Sequence, residues 1–195
     1  MRIISGRLGG RNLKTVEGEG YRPAMGKTRE ALFSMLAARG MDWYSARVLD
    51  LFAGSGSLAF EAISRGAEHA LLVEMAPQAV RCLKANIAAL GVEDEARIVS
   101  DDVLRVLKTP PAEPYSLIFM DPPYRKNLAD PALRLLATRR WLAPGAFVTA
   151  EIEKDARVNL PTEWTLEAER LFGQTRICIW TLLADFESLP ALSIR

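Results

Sequence analysis

Asp121, Pro122, Pro123 and Tyr124 form a rigid polar segment directly after the apolar run 115–120, which predicts a buried strand. Proline has a fixed φ angle and no N–H group, so the two proline carbonyls have set directions and remain available as acceptors. The Asp121 carboxylate and a proline carbonyl could hold the N–H groups of a planar amine while the Tyr124 ring stacks on its face. A proline-rich loop without a function is the alternative. We predict that these four residues are catalytic and act on an exocyclic amino group of a nucleobase.

A second motif lies upstream, where an apolar strand at 48–51 leads into the small-residue loop 52–57 and then into a helix. Gly54 and Gly56 would let the backbone approach a ligand closely, and the start of the helix offers N–H groups without intrahelical partners. Glu74 ends the next apolar run, where doubly wound sheets place a carboxylate that binds ribose hydroxyl groups. The segment indicates a nucleotide-like ligand, although a Gly-x-Gly pair alone is also typical of an ordinary turn between strand and helix.

The order of these motifs resembles that of S-adenosylmethionine-dependent methyltransferases that act on exocyclic amines. Two amino-terminal segments, 2–11 and 22–36, restrict the resemblance to one family among these methyltransferases. They contain Arg2-Ile-Ile-Ser-Gly-Arg7 and Arg29-Glu30-Ala-Leu-Phe33. With them, the chain is similar over nearly its full length to the bacterial 16S ribosomal RNA guanine-N2 methyltransferase family, usually called RsmD.

The resemblance implies transfer of a methyl group from S-adenosylmethionine to the exocyclic N2 of one guanine in 16S ribosomal RNA, at position 966. It assigns Asp50 and the loop 52–57 to the methionine part of the cofactor, Glu74 to the ribose and Asp102 to the adenine amine. A helix N-cap would explain the position of Asp102 equally well. The full set of implied cofactor-binding residues is Asp50, Phe52, Ala53, Gly54, Ser55, Gly56, Ser57, Glu74, Met75, Asp102 and Val103.

Four other functions are compatible with parts of these motifs. A DNA adenine-N6 methyltransferase usually resembles a larger chain with a separate target-recognition region, for which 195 residues leave little room. A glutamine-N5 protein methyltransferase typically carries Asn in place of Asp121. A dinucleotide-binding oxidoreductase favours a third glycine where Ala59 stands, although some such folds accept alanine. A non-catalytic RNA-binding module would not need an intact segment 121–124.

Basic residues are concentrated at the amino end of the chain. Residues 1–40 contain eight basic and three acidic side chains, a net charge of +5, whereas the whole chain carries +1. We call residues 1–40 the basic limb. A basic segment of this kind is typical of a phosphate-contacting surface, although most charge runs are simply solvated. We predict an RNA-contacting appendage over 1–40 and a methyltransferase domain over 41–195, with 16S ribosomal RNA or the assembling small subunit as the partner. The predicted RNA-binding residues are Arg2, Arg7, Arg11, Lys14, Arg22, Lys27 and Arg29.

The composition is that of an ordinary globular protein of 195 residues. No apolar stretch approaches the roughly 20 residues of a transmembrane helix, and residues 1–6 lack the apolar core of a signal peptide, so we expect a cytoplasmic protein without a membrane partner. Cys82 and Cys178 are expected to be reduced thiols. The single histidine, His69, makes no convincing metal cluster with the scattered acids, so we expect metal-free chemistry, carried out by a monomer.

The alternation of apolar runs predicts the elements that must position these motifs. Strands are predicted at 47–51, 70–74, 96–99, 115–120 and 146–152, and helices at 57–65, 77–90, 102–107 and 129–139. Pro144-Gly145 predicts a turn into the fifth strand. Alternating stretches at 165–172 and 176–183 predict a closing antiparallel hairpin, and the first 40 residues predict a β-hairpin at 2–15 and a helix at 27–39.

The predicted fold class is α/β. It is a Rossmann-like class I methyltransferase with a mostly parallel twisted sheet, a C-terminal antiparallel hairpin and an N-terminal β-hairpin appendage. In such a sheet the four predicted acids, Asp50, Glu74, Asp102 and Asp121, all lie at the carboxyl ends of strands. Open α/β sheets bind their ligands at that edge.

Overall fold

The computed structural model describes residues 1–16, 26–160 and 162–182. The helices are α1 (Gly26–Ala37), α2 (Ser57–Arg65), α3 (Pro77–Leu90), α4 (Val103–Leu107) and α5 (Ala129–Thr138). The strands are β1 (Arg47–Leu51), β2 (His69–Val73), β3 (Ala96–Val99), β4 (Tyr115–Met120), β5 (Leu142–Glu153), β6 (Trp164–Phe172) and β7 (Thr175–Leu182).

All seven strands belong to one sheet in the order β3-β2-β1-β4-β5-β7-β6. The pairs from β3 to β5 are parallel, and β7 pairs antiparallel with both β5 and β6. Every βαβ crossover predicted from the sequence is present, and the C-terminal hairpin closes the sheet. The predicted α/β fold class is confirmed.

Alternate residues of the central strands point into two apolar cores. On β4, Leu117 and Phe119 pack with α2, while Ile118 and Met120 pack with α5 on the opposite face. Helices α1, α2 and α3 cover the first face, and α4 and α5 cover the second. Because both faces are covered, the strands are apolar almost throughout, as parallel strands usually are.

One predicted turn is wrong. Strand β5 begins at Leu142, so Pro144 and Gly145 lie within the strand and do not precede it. The pairing of β4 with β5 shifts there, from Tyr115 opposite Leu142 to Leu117 opposite Phe147. The proline and the positive φ of 71° at Gly145 are accommodated in a bulge, where a strand tolerates both residue types.

The predicted N-terminal hairpin is reduced to a minimal antiparallel pairing with a single bridge, between Arg2 and Asn12. Ile3, Leu8 and Leu13 are buried in the same core as the apolar side of α1 and α2. The amino-terminal residues are therefore packed onto the body of the protein. The functional division of the chain at residue 40 stays a prediction.

Candidate active site

The carboxyl ends of four parallel strands form a level edge. Leu51 at the end of β1 lies opposite Val73 of β2 on one side and Met120 of β4 on the other, and Val73 lies opposite Val99 of β3. The chain order reverses between β1 and β4, and that is where open α/β sheets bind ligands. Phe52 and Asp121 are the next residues on these two neighbouring strands, so both predicted motifs begin side by side.

The loop 52–57 turns sharply from β1 into α2. Phe52 has a φ of 64°, which is unusual for a residue with a side chain, and Gly54 and Gly56 have φ values of 56° and 77°. The N-cap residue of α2, Gly56, makes no side-chain hydrogen bond to the helix, and the Asp50 carboxylate accepts only the Ala59 N–H of the first turn. A loop of this shape ahead of a helix N-terminus presents the remaining backbone donors to an anionic group.

Gly56 is required by side-chain packing as well as by its backbone conformation. A Cβ atom added to Gly56 would lie 2.4 Å from the Phe60 ring and 2.8 Å from the Leu83 side chain. Gly56 is therefore needed for the packing of α2 against α3, in addition to its positive φ. The sequence-based explanation, close approach to a ligand, does not by itself account for this residue.

The Asp50 carboxylate is buried beneath the loop. It accepts a hydrogen bond of 3.2 Å from the Ala59 N–H in the first turn of α2. Burial raises the pKa of Asp50 well above its usual range, the Ala59 N–H lowers it, and the negative charge of Glu74 raises it further. Asp50 thus holds the start of α2 against the end of β1.

Glu74 links the loops that follow β1 and β2. Its two carboxylate oxygens accept hydrogen bonds from the Gly54 N–H at 2.9 Å and the Ala76 N–H at 2.8 Å. The residue is only 7% exposed, whereas its neighbour Met75 is 65% exposed. A carboxylate oxygen has two acceptor positions, so both oxygens can also accept hydroxyl donors. This carboxylate with an exposed thioether beside it suits a ribose and an adjoining flat base.

Asp102 is the N-cap of α4. Its side chain accepts a hydrogen bond of 3.0 Å from the Arg105 N–H. Val103 follows it and is buried in the core beneath α4. The N-cap role explains the position of Asp102, and the predicted contact with adenine stays a prediction for both residues.

We expect Glu74→Ala to weaken the binding of S-adenosylmethionine by about ten- to a hundredfold. Hydrogen bonds to a charged acceptor contribute about 1.5–3 kcal/mol, and each 1.4 kcal/mol corresponds to about a factor of ten. Calorimetric titration of the purified variant measures the change. Glu68→Ala, which removes an exposed acid ahead of β2, is the matched control. Wild-type affinity in Glu74→Ala would rule out the ribose contact.

A cavity of about 370 Å³ lies beyond the ends of β4 and β5 and is bordered by Pro122, Pro123 and Tyr124, whereas Asp121 is not among the residues that line it. Pro122, Pro123 and Tyr124 form one wall, and the loop after β5, including Ala156 and Val158, forms the opposite wall. The cavity lies directly beside the predicted amine-holding residues. Its size is sufficient for a nucleobase and part of its sugar.

A pair of facing residues, one on β5 and one on β7, holds the carboxyl end of the segment 121–124. Glu153 lies opposite Thr175. The Thr175 hydroxyl is 2.8 Å from the Tyr124 hydroxyl, and a Glu153 carboxylate oxygen accepts the Arg125 N–H at 2.9 Å. The Tyr124 ring is thereby oriented by a residue more than 50 positions away in the chain.

We expect Thr175→Val to lower the turnover number about three- to tenfold, because a net hydrogen bond contributes about 0.5–1.5 kcal/mol. Steady-state methyl transfer, with cofactor affinity measured in parallel, tests this. Tyr124→Phe should have a similar effect, and the double variant should be no worse than either single one. Thr165→Val, at an exposed position of β6, is the control. Additive losses would show that the two hydroxyl groups do not act together.

Several of the predicted RNA-binding side chains already have partners within the protein. Arg7 forms an ion pair with Glu95, and Arg11 donates to the Ala89 and Leu90 carbonyls at the end of α3. Arg29 is 2% exposed and donates to the Arg2 carbonyl. Burial lowers the pKa of Arg29, while the charge of Glu61 raises it.

The other predicted RNA-binding residues are exposed where the structure describes them. Arg2, Lys14 and Lys27 are exposed, and Arg22 lies outside the described residues. RNA contact by this limb stays a prediction.

Sequence reasoning missed the residues that tie the amino-terminal segment to the body. Glu61 is fully buried and accepts the Ile4 and Ser5 N–H groups at 2.6 and 3.1 Å. Asn86 donates to the Lys14 carbonyl and to the Ser55 carbonyl, both at 3.0 Å, and so connects that segment to the loop 52–57. The only signal in the sequence was that Glu61 is a charged residue among apolar neighbours.

The comparisons with known proteins agree with this geometry. A family model described as "Conserved hypothetical protein 95" matches residues 1–181. The chain belongs to this family, the RsmD family. Relatives in it include proteins named ribosomal RNA small subunit methyltransferase D from Haemophilus influenzae and Escherichia coli. The first is 38% identical over 89% of both chains, and the second is 35% identical over 96% of this chain and 93% of the relative.

Solved structures show that the similarity in sequence is accompanied by a similar fold. The Escherichia coli protein yhhF superposes with a TM-score of 0.83 at 35% identity, covering 95% of this chain and 99% of that one. A Haemophilus influenzae protein superposes with a TM-score of 0.80 at 34% identity, covering 93% and 98%. The fold is that of class I methyltransferases, as the resemblance implied.

Among the described residues, no helix is long and apolar enough to cross a membrane. In the same part of the chain, no three His, Cys, Asp or Glu side chains are grouped so that they could hold a metal ion. Cys82 is half-buried and Cys178 is buried, and both are free thiols.

Proposed function

We propose that this protein transfers a methyl group from S-adenosylmethionine to the exocyclic N2 of one guanine in the RNA of the small ribosomal subunit. The observation that carries the proposal is the pairing of Leu51 with Met120, which brings the loop 52–57 and the segment 121–124 together at the switch point of the sheet. Membership of the RsmD family and the names of its relatives support a ribosomal RNA substrate.

The donor side of the proposed site is the edge formed by the loops after β1 and β2. S-adenosylmethionine, when bound, supplies a methyl group on a positively charged sulfur. The N–H groups at the start of α2 suit the methionine carboxylate, and the Glu74 carboxylate suits the ribose hydroxyl groups. Asp50 supports this loop and helix start from beneath through the Ala59 N–H. The chemistry of these residues therefore suits S-adenosylmethionine.

The acceptor side is the cavity bounded by 122–124. The lone pair of a guanine N2 amine is delocalised into the ring, so the amine is a poor nucleophile. The Asp121 carboxylate and the Pro122 carbonyl would accept its two N–H groups and hold them out of the ring plane, which localises the lone pair on the nitrogen. Tyr124, oriented by Thr175, would stack on the base. The guanine must leave its helical stack to enter this cavity.

Alignment of the amine with the donor methyl group supplies most of the rate enhancement in such an in-line displacement. The positive charge disperses as the methyl group moves, so no covalent enzyme intermediate is needed. In this proposal either the Asp121 carboxylate or solvent accepts the proton that the methylated amine releases.

Transfer of radiolabelled methyl groups into separate nucleic acids tests the substrate class. The purified protein is incubated with labelled S-adenosylmethionine and one of four substrates: 16S RNA, small-subunit particles, 23S RNA or duplex DNA. We expect label only in the two small-subunit samples. Label in DNA or in protein would overturn the proposed substrate, and absence of label in all samples would overturn the enzymatic function.

A further inference from the structure

Two basic residues line the acceptor cavity, and two more lie near them in the chain. Arg125 is on the loop that follows β4 and Arg157 is on the loop that follows β5, while Lys126 and Lys154 are one and three residues away from them. All four side chains are exposed, and none takes part in an ion pair within the described ranges. We call this set the basic rim.

Three acidic residues near the basic rim offset most of its charge. The Asp130 carboxylate accepts hydrogen bonds from the Asn159 backbone and side chain at 3.1–3.3 Å. A Glu153 carboxylate oxygen accepts the Arg125 N–H. These donors are neutral, so both carboxylates keep their negative charge. Asp155 is exposed, and four basic against three acidic side chains leave an excess of one positive charge around the cavity.

The two loops that carry the rim are held in position by backbone contacts. The Lys154 N–H donates to the Gln174 carbonyl at 2.8 Å, and Arg176 donates to the Ala156 carbonyl. On the opposite loop, Arg125 and Asn127 have φ values of 62° and 49°, a backbone conformation that costs free energy for residues other than glycine. The loop after β5 is therefore attached to β7, and the loop after β4 carries backbone strain at Arg125 and Asn127.

The basic limb at the amino end offers fewer unengaged charges than the sequence indicates. Arg7, Arg11 and Arg29 have intramolecular partners, so they can bind phosphate only at the expense of those contacts. The basic rim has no such competition, and it is contiguous with the cavity proposed to hold the base.

We propose that the basic rim binds the phosphate groups of single-stranded RNA on both sides of the unstacked guanine. This inference rests on the proposed function, because it places the flanking nucleotides around the same acceptor cavity. Phosphate contacts of this kind position a strand without reading its sequence. They would hold the strand so that the base enters between Tyr124 and the loop after β5.

The salt dependence of binding to protein-free 16S RNA tests the proposal. Each phosphate contact on a single strand contributes about 0.7 to the slope of log affinity against log salt concentration. Arg125→Gln/Arg157→Gln should lower that slope by about 1.4 and weaken binding about ten- to a hundredfold at about 50 mM salt. The affinity for S-adenosylmethionine should remain at the wild-type value.

Two matched double variants complete the experiment. Lys108→Gln/Arg139→Gln removes two exposed charges that follow α4 and α5 at the opposite edge of the sheet, and should leave the slope unchanged. Arg2→Gln/Lys27→Gln removes two exposed charges of the limb without breaking the Glu95 or α3 contacts. An unchanged slope in the rim variant, with a reduced slope in the limb variant, would overturn the proposal.

Failure of the rim proposal can be told apart from failure of the proposed function. If the wild-type protein methylates small-subunit RNA and the rim variant binds RNA normally, only the rim proposal is wrong. If the rim variant loses methylation of assembled particles but keeps its affinity for protein-free RNA, the rim contacts a ribosomal protein and the phosphate proposal is wrong. If the wild-type protein transfers no methyl group to any RNA, the proposed function itself fails.

Discussion

Replacing Asp121 by alanine should lower the turnover number for methyl transfer by about a hundred- to a thousandfold, with cofactor affinity within about twofold of wild type. The expected size is that found when a positioned acid–base group or a preorganised hydrogen-bonding partner of the transition state is removed. In the proposed mechanism the carboxylate holds one N–H group of the acceptor amine, and either it or solvent later accepts the proton. Single-turnover methyl transfer with saturating RNA and cofactor measures the effect.

Two further variants make the Asp121 result specific. Asp121→Asn keeps an acceptor oxygen but loses the charge, so its rate should lie between those of the wild type and the alanine variant. Asp155→Ala removes an exposed acid from the loop after β5 and should leave the rate of methyl transfer nearly unchanged. A wild-type rate in Asp121→Ala would show that the amine is not held there.

Replacing Glu61 by alanine should destabilise the protein by about 3–5 kcal/mol, the usual effect of breaking a buried charged pair. The Glu61 carboxylate is fully buried, holds the Ile4 and Ser5 N–H groups and pairs with Arg65 at 2.9 Å. Its loss would leave two backbone donors and a guanidinium unpaired and release residues 1–6 from α2. Equilibrium denaturation followed by circular dichroism measures the free energy of unfolding.

Smaller changes at the same contact keep this prediction testable if Glu61→Ala does not fold. Ser64→Ala removes an acceptor for the Leu8 N–H and a donor to the Ser5 carbonyl, and should cost about 1–3 kcal/mol. Gly6→Ala should also destabilise, because the added Cβ would lie 1.9 Å from the Ser64 carbonyl oxygen. Glu30→Ala, at an exposed position of α1, is the control. Wild-type stability in Ser64→Ala and Gly6→Ala would show that this contact does not hold the segment.

The central sheet was predictable because its signals are local. Strand β1 and strand β4 are short apolar runs with abrupt polar ends, and α3 has the apolar spacing of a helix covered on one side. The bulge at Gly145 was not predictable, since a Pro-Gly pair signals a turn unless the neighbouring strand is known. The strand order was not predicted, because periodicity does not specify which strands pair.

The proposed site was predictable only in part. Asp121 and Glu74 were proposed because each directly follows an apolar run, and the spacing from Asp50 to Glu74 suits one βαβ unit. Thr175 and Glu153 were not, since their contacts with Tyr124 and Arg125 are set by the register of β5 and β7. Local patterns in sequence carry no information about such a pairing across the sheet.

Charge counting does not show which side chains of the amino-terminal limb are free to bind a partner. A net charge of +5 over 40 residues indicates an electrostatic surface only if the side chains are free to face a partner. Arg29 is instead buried, and Arg11 caps the carbonyl end of α3. Burial and helix-end contacts are consequences of tertiary packing, and the count of basic residues could not show them.

The identity of the modified nucleoside tests the central proposal most directly. Small-subunit RNA lacking its natural methylation is treated with the protein and S-adenosylmethionine, digested to nucleosides and analysed by mass spectrometry. The proposal predicts one new product, N2-methylguanosine, which is absent when Asp121→Ala replaces the wild-type protein. A methyl group on a ring nitrogen, on a ribose hydroxyl or on adenine would contradict it, because the segment 121–124 would then not be holding the exocyclic amine of guanine.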